Sequence, residues 1–317
     1  MVATGALRAD GRAWLRIFLC GLTLWLLTVV ITSITKNSHL VPTLVLLGSF
    51  LVPVTFLAWA FERRGTGEIT GSLVLNTFIA GAVMGVLAAS APEVYLLHPS
   101  VWLFLGAGLL EEGAKLAALA WLARHLHTKS VRDGLILGAS VGFGFAAFES
   151  AGYAFTALFT QRGLSLMNLI QTEILRGLLA PVGHGLWTAV LGAVLFAPST
   201  RKHFLLSGRL LLAYLGVALL HAVWDSMHTI SVMLSLMLTG SSDQYDQVLR
   251  GYILHPSPTQ VHLVAEFDWL GMALVAGVGV GWLVRECRAA QRRRPPSTGW
   301  RVPTARRHRP LADTYGT

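Results

Sequence analysis

Residues 101–123 read VWLFLGAGLLEEGAKLAALAWLA, an apolar run interrupted near its middle by Glu111, Glu112 and Lys115. A helix needs about 20 predominantly apolar residues to cross a bilayer, so the run is long enough. Each charge at the centre of a span costs about 2.5 to 3.5 kcal/mol, and three cost roughly 8 to 10. Such a segment crosses a membrane only if its charged face turns toward other helices. Composition decides that it does cross. Charged residues make up 13% of the 317, hydrophobic residues 54%, and mean hydropathy is +0.59. A water-soluble fold of this size has no core large enough to hide that much apolar surface.

Outward from this stretch the same kind of window recurs. Apolar runs lie near Trp14–Thr35, Leu40–Phe61, Ser72–Ser90, Val101–Ala123, Gly134–Phe159, Gly177–Ala197, Arg209–Ser231 (extendable to Leu238) and Phe267–Val284. The expected fold is therefore an all-α polytopic membrane protein of about eight transmembrane helices, with a buried polar site among spans four to seven. The first run is too long for a signal-peptide core and reads as an uncleaved anchor. Lys and Arg distribute unevenly between the connections. With the N-terminus inside, the inner connections hold Arg8, Arg12, Arg63, Arg64, Arg124, Lys129, Arg132, Arg201, Lys202 and the nine arginines from Arg285 onward, 18 in all. The outer ones hold Lys36, Arg162 and Arg250, which makes 3. This asymmetry places both termini in the cytoplasm of a multi-pass cell-membrane protein.

Residues 1–285 form the expected membrane domain, with its core motifs at 101–228. Residues 286–317 form a basic tail rich in Pro and Arg, expected to be disordered and to rest on anionic lipid. That tail carries most of the net charge of +9, so the basic balance does not signal nucleic-acid binding. Cys20 and Cys287 lie in the first run and just past the last, which excludes a disulfide framework or a CxxC site. The outer connection from about Thr239 to Glu266 suits a short amphipathic cap.

Further polar residues fall inside the apolar runs. On a helix Glu111 and Lys115 are about 40° apart and Glu112 and Lys115 about 60° apart, so the lysine pairs with either carboxylate and leaves the other for chemistry. Span five carries Phe145 and Glu149 one turn apart, with Gly138, Gly142 and Gly144 as small packing residues. Span six carries Pro181, Gly183 and His184. Span seven carries His221 and Asp225 one turn apart, with His228 further along the stripe, where a packing role is the simpler reading. Counted from the outer ends of their spans, Glu111, Glu149, His184 and His221 sit at depths agreeing within roughly 5 Å. A shared depth points to one site.

Glu-Glu-x-x-Lys, Phe-x-x-x-Glu and His-x-x-x-Asp on successive helices resemble the PrsW family of intramembrane proteases, within the CAAX prenyl protease and bacteriocin-processing superfamily. The similarity spans roughly Val101–His228 and takes in Glu111, Glu112, Lys115, Phe145, Glu149, His184, His221 and Asp225. The prenyl-protease branch usually has His in place of Glu149 and Asn in place of Asp225, which favours the PrsW branch. The resemblance implies site-1 cleavage of a membrane-anchored anti-sigma factor.

Peptide hydrolysis needs an activated water and donors for the oxyanion, and two carboxylates with two imidazoles supply both. Glu111 is the expected base, Glu112 and Glu149 water or metal partners, and His184, His221 and Asp225 ligands or orienting groups. Lys115 and Phe145 support them. Glu149, His184, His221 and Asp225 form a candidate set for a divalent metal such as zinc, though a metal-free glutamate mechanism uses the same atoms. Expected partners are a membrane-anchored protein substrate and the bilayer. The competing class is a proton-coupled transporter or channel using the same buried acids and histidines. Against it, the sequence shows no inverted repeat and no matching broken helices.

Overall fold

The computed structural model describes residues 11–63, 68–87, 90, 102–161, 163–199, 203–250 and 255–292. The described chain is helical almost throughout. α1 (Ala13–Thr35) and α2 (Val41–Glu62) form a hairpin. Its turn is built by Asn37, whose side chain accepts the His39 N–H at 3.0 Å, and by Lys36, which takes a left-handed φ of 54°. α3 (Gly71–Ile79) starts on the Thr70 hydroxyl and continues into a π-helical turn at Ala80–Gly85. α4 (Leu103–Ala123) and α5 (Val131–Leu158) follow, the latter capped by Ser130. Strands β1 (Phe159–Thr160) and β2 (Gly163–Leu164) pair antiparallel in the connection to α6 (Leu166–Leu179). A 3-10 turn at Ala180–Val182 then leads into α7 (His184–Phe196). α8 (Gly208–Asp225), α9 (Met227–Thr239), α10 (Ser242–Leu249) and α11 (Pro258–Arg292) complete the chain.

The molecule is an all-α polytopic membrane protein. Among the described residues six helical stretches are long and apolar enough to cross a bilayer: Ala13–Thr35, Ser38–Glu62, Val131–Leu158, Leu166–Phe196, Gly208–Asp225 and Pro258–Arg292. α4 has 21 residues but carries its three charges, and the apolar helices Gly71–Val83 and Met227–Thr239 are shorter. Three departures from the expected windows have local causes. α6 is helical well before Gly177, because Asn168, Gln171, Glu173 and Arg176 lower its hydropathy without breaking its backbone. The expected seventh span is interrupted at Ser226, whose hydroxyl bonds back to the carbonyls of Ala222 and Val223 and so competes with helix propagation. α11 begins at Pro258 and not near Phe267, so among the described residues of the outer connection Ser242–Leu249 alone forms the separate cap. At the other end α11 runs on to Arg292, past the expected start of the basic tail. The rest of that tail, 293–317, lies outside the described residues.

α5 and α7 make the centre. Of the apolar windows holding them 78% is buried inside the protein, against 11% for α1 and α11, which leave most of their surface to lipid. The close approach of α5 and α7 depends on glycine. A Cβ at Gly138 would sit 2.3 Å from the Thr188 carbonyl oxygen, and one at Gly142 would sit 2.2 Å from that of His184. α4 and α8 meet in a similar way where Gly108 faces the Ala218 carbonyl at 2.6 Å.

Candidate active site

α4 delivers its three charges to the interior. Glu111 is 8% exposed, and Glu112 and Lys115 are fully buried. The Lys115 ammonium lies 3.1 Å from Glu111 Oε2 and 2.8 Å from Glu112 Oε1, so it bridges both carboxylates, whereas the sequence reading expected it to pair with one and leave the other free. It also sits 3.7 Å above the centroid of the Phe145 ring and 3.0 Å from His184 Nδ1. The cation thus ties α4 to α5 and α7, and in a low-dielectric interior this compensation is what permits two adjacent buried acids.

The two imidazoles come from α7 and α8, with ring centroids 4.9 Å apart. An ammonium only donates, so His184 Nδ1 accepts from Lys115 and the ring proton lies on Nε2, which donates to Glu149 Oε2 at 2.8 Å. His221 is fully buried and places Nδ1 3.1 Å from Glu112 Oε1. Its Nε2 is 3.1 Å from Asp225 Oδ2 and 3.6 Å from Glu111 Oε2, yet makes no hydrogen bond. A bare lone pair there would face two carboxylates. The arrangement is stable only with a proton or a cation between them.

Sequence reasoning missed Arg176. Its Nη2 lies 2.5 Å from Glu149 Oε2, its Nε donates to Ser150 Oγ at 2.8 Å, and its guanidinium covers the Tyr153 ring. The signal was charge balance: Glu111, Glu112, Glu149 and Asp225 face one lysine, and Arg162 and Arg176 are the basic residues available between Asp133 and Thr200. Trp187 was missed as well. Its ring is fully buried 5.0 Å from that of His221 and 5.3 Å from that of His184, and forms an apolar wall for both. His228 stands outside the constellation, exposed and paired with Asp268 at 3.0 Å, because the break at Ser226 turns it away.

Glu149, Arg176, His184 and Asp225 line a small opening of about 50 Å³. The candidate metal set differs from the expected one. Glu111, His184 and His221 offer ligand atoms within 4.8 Å of one another, whereas Glu149 and Asp225 each stand beside one imidazole. One carboxylate and two imidazoles are a donor set that zinc accepts. Of these three residues, His221 keeps an unbonded Nε2, the free donor atom such a site leaves. A carboxylate behind each ring is the orienting arrangement that metal-ligating histidines use. The residues fit a divalent cation, provided Lys115 yields its place between Glu111 and His184.

The model of the PrsW family intramembrane metalloproteases matches residues 52–245, more than half of the chain and all of the constellation. The chain belongs to the PrsW family. Protease PrsW of Halalkalibacterium halodurans is 27% identical over 197 residues, which cover 58% of this chain and 86% of that one. Protease PrsW of Geobacillus kaustophilus is 29% identical over 164 residues, 49% of this chain and 66% of the relative. That of Shouchella clausii is 30% identical over 163 residues, 48% and 68%. No solved structure matches the chain. Membership of the PrsW family makes this an intramembrane endopeptidase, which decides against the transporter reading.

Proposed function

We propose that the PrsW-family constellation hydrolyses a peptide bond of a membrane-anchored protein, with Glu111 as the general base. The observation that carries this is the difference between the paired acids: Glu111 keeps some exposure and faces the unbonded Nε2 of His221, while Glu112 is wholly buried between Lys115 and His221. Water entering beside Glu149 and Asp225 meets Glu111 first. Glu111 accepts its proton as the oxygen attacks the scissile carbonyl and returns that proton to the leaving amine. Glu112 and Lys115 hold His221 and His184 in place. Asp225 orients His221 from the rim, and Glu149, held by Arg176, fixes His184.

Glu111, His184 and His221 would hold a divalent metal such as zinc, which when bound polarises the carbonyl and lowers the pKa of water to about 7. Glu112, whose Oε2 is unbonded, would stand beside that set without belonging to it. The excess of Lys and Arg in the inner connections supports cytoplasmic termini in a cell membrane, which puts the polar residues in the outer half of the bilayer. A single-span anti-sigma factor cut near its outer side fits that depth, and the kinship with prenyl proteases rests on the same ordered motifs.

The test is purified protein in liposomes with a single-span anti-sigma substrate. Glu111→Gln keeps volume and hydrogen-bonding capacity but cannot act as base, so cleavage should fall about a hundredfold or more with protein yield unchanged. Metal content measured on the same samples separates the roles: retained metal marks a base, lost metal a ligand. Normal cleavage by well-expressed Glu111→Gln and Glu112→Gln variants would sink the carboxylate mechanism.

A further inference from the structure

A second cavity, of about 390 Å³, opens where α2 ends and α5 begins. Its walls are apolar, with Phe143, Ala139 and Leu283 among them, and no acidic residue lines it. Its rim carries Arg63, Arg132 and Trp59, and Cys287 of α11 faces it as well. Arg132 in the first turn of α5 donates to the backbone carbonyl of Arg63, the residue that closes α2. The Arg63 guanidinium lies 5.4 Å from the Trp59 ring centroid. Two positive side chains thus line one cavity, and neither has a carboxylate partner among the described residues.

The ends of two membrane helices mark the boundary between hydrocarbon and water. A crevice that is apolar inside and doubly cationic at that boundary has the polarity of an amphiphile with an anionic head. We propose that this cavity binds one anionic phospholipid, its phosphate at Arg63 and Arg132 and an acyl chain along Phe143 and Leu283. The volume lies within the range of small-molecule sites, roughly 300 to 1,000 Å³. Guanidinium forks suit phosphate oxygens, and an interfacial Trp beside them suits the headgroup level. Pro181 and Gly185 form part of the inner wall and flank His184, so the bound lipid would brace the helix start that carries a site imidazole.

Native mass spectrometry of the full chain released from nanodiscs counts retained lipid directly. In discs of phosphatidylcholine with increasing phosphatidylglycerol, one phosphatidylglycerol should be retained per chain. The double variant Arg63→Gln/Arg132→Gln should weaken its retention about tenfold or more, while replacing the tail arginines beyond Arg292 should not. A Cys20→Ser background gives a second reading, because maleimide labelling of Cys287 should slow as phosphatidylglycerol occupies the cavity, and the slowing should vanish in the double variant. If that variant folds poorly, Ala139→Leu fills the crevice and leaves both arginines, and it too should lose the lipid. Equal retention of phosphatidylcholine, retention unchanged in the arginine and Ala139 variants, or equal protection of Cys287 by inorganic phosphate alone would each overturn the proposal.

Discussion

At the scale of single residues, the site is organised by cations that neutralise acids. Lys115 bridges Glu111 and Glu112, and Arg176 grips Glu149. Arg176 touches no position where a peptide bond would react, so its role is to position Glu149 and, through it, His184. Arg176→Gln should lower the cleavage rate about ten- to a hundredfold, the usual effect of removing an orienting partner. Arg176→Lys should recover part of that loss, because it restores the charge without the fork; a merely structural arginine would instead lower the amount of folded protein in step with activity. His228→Asn should leave cleavage near wild type, since His228 pairs with Asp268 at the surface. The acids and imidazoles were readable in the sequence because an ionisable residue inside an apolar run has so few explanations. Arg176 was not, because it sits in a stretch polar enough to pass for a connection. The triad of Glu111, His184 and His221 was hidden for another reason: which face of α4 meets α7 and α8 is set by tertiary packing.

Between elements, backbone contact replaces side-chain interdigitation. Gly138→Ala places its methyl 2.3 Å from a backbone oxygen that cannot swing aside, so it should destabilise the protein by about 1 to 3 kcal/mol. Gly152→Ala, on the same helix with nothing within 4 Å, should be neutral or slightly stabilising; thermal unfolding in one detergent compares the two. The loop before α3 is joined to the loop after α4 by Glu68, whose carboxylate accepts the His127 and Thr128 N–H groups at 2.7 and 3.1 Å. Hydrogen bonds from Thr128, with a smaller share from His127, hold its carboxyl below the usual carboxylate range. The stabilisation is therefore present above about pH 4.3, the unfolded value, and is lost as pH falls through the lower folded value. Exchange protection at His127 and Thr128 should decline over that acid window in the wild type and be low at every pH in Glu68→Ala. The glycines of α5 were readable as packing positions, whereas their carbonyl partners on α7 were not, since spacing along one helix does not say which helix lies against it.

Across the whole molecule, the excess of basic residues in the inner connections makes topology testable. A phosphatase fused after Thr317 should be inactive and one inserted between Ser241 and Gln247 active; the reverse would invert the proposed orientation and the depth assigned to the site. Hydropathy alone recovered the fold class, because an apolar run of sufficient length has one solvent available to it. It misplaced the ends of α6, α8 and α11, where a polar helix, a hydroxyl-broken helix and a helix projecting beyond the apolar zone all depart from the length rule.

The two glycine seams divide the constellation into a pair of leaves. One is α5 with α7, carrying Phe145, Glu149 and His184; the other is α4 with α8, carrying Glu111, Glu112, Lys115, His221 and Asp225. Each leaf is stiff, because backbone pressed on backbone leaves no slack. Widening the crease to seat an extended substrate strand therefore means turning one leaf against the other, about the contacts from Lys115 to His184 and Phe145. The machine would behave like a book with stiff covers and a spine made of one ammonium group and a stack of rings, His184 and Trp187 against His221.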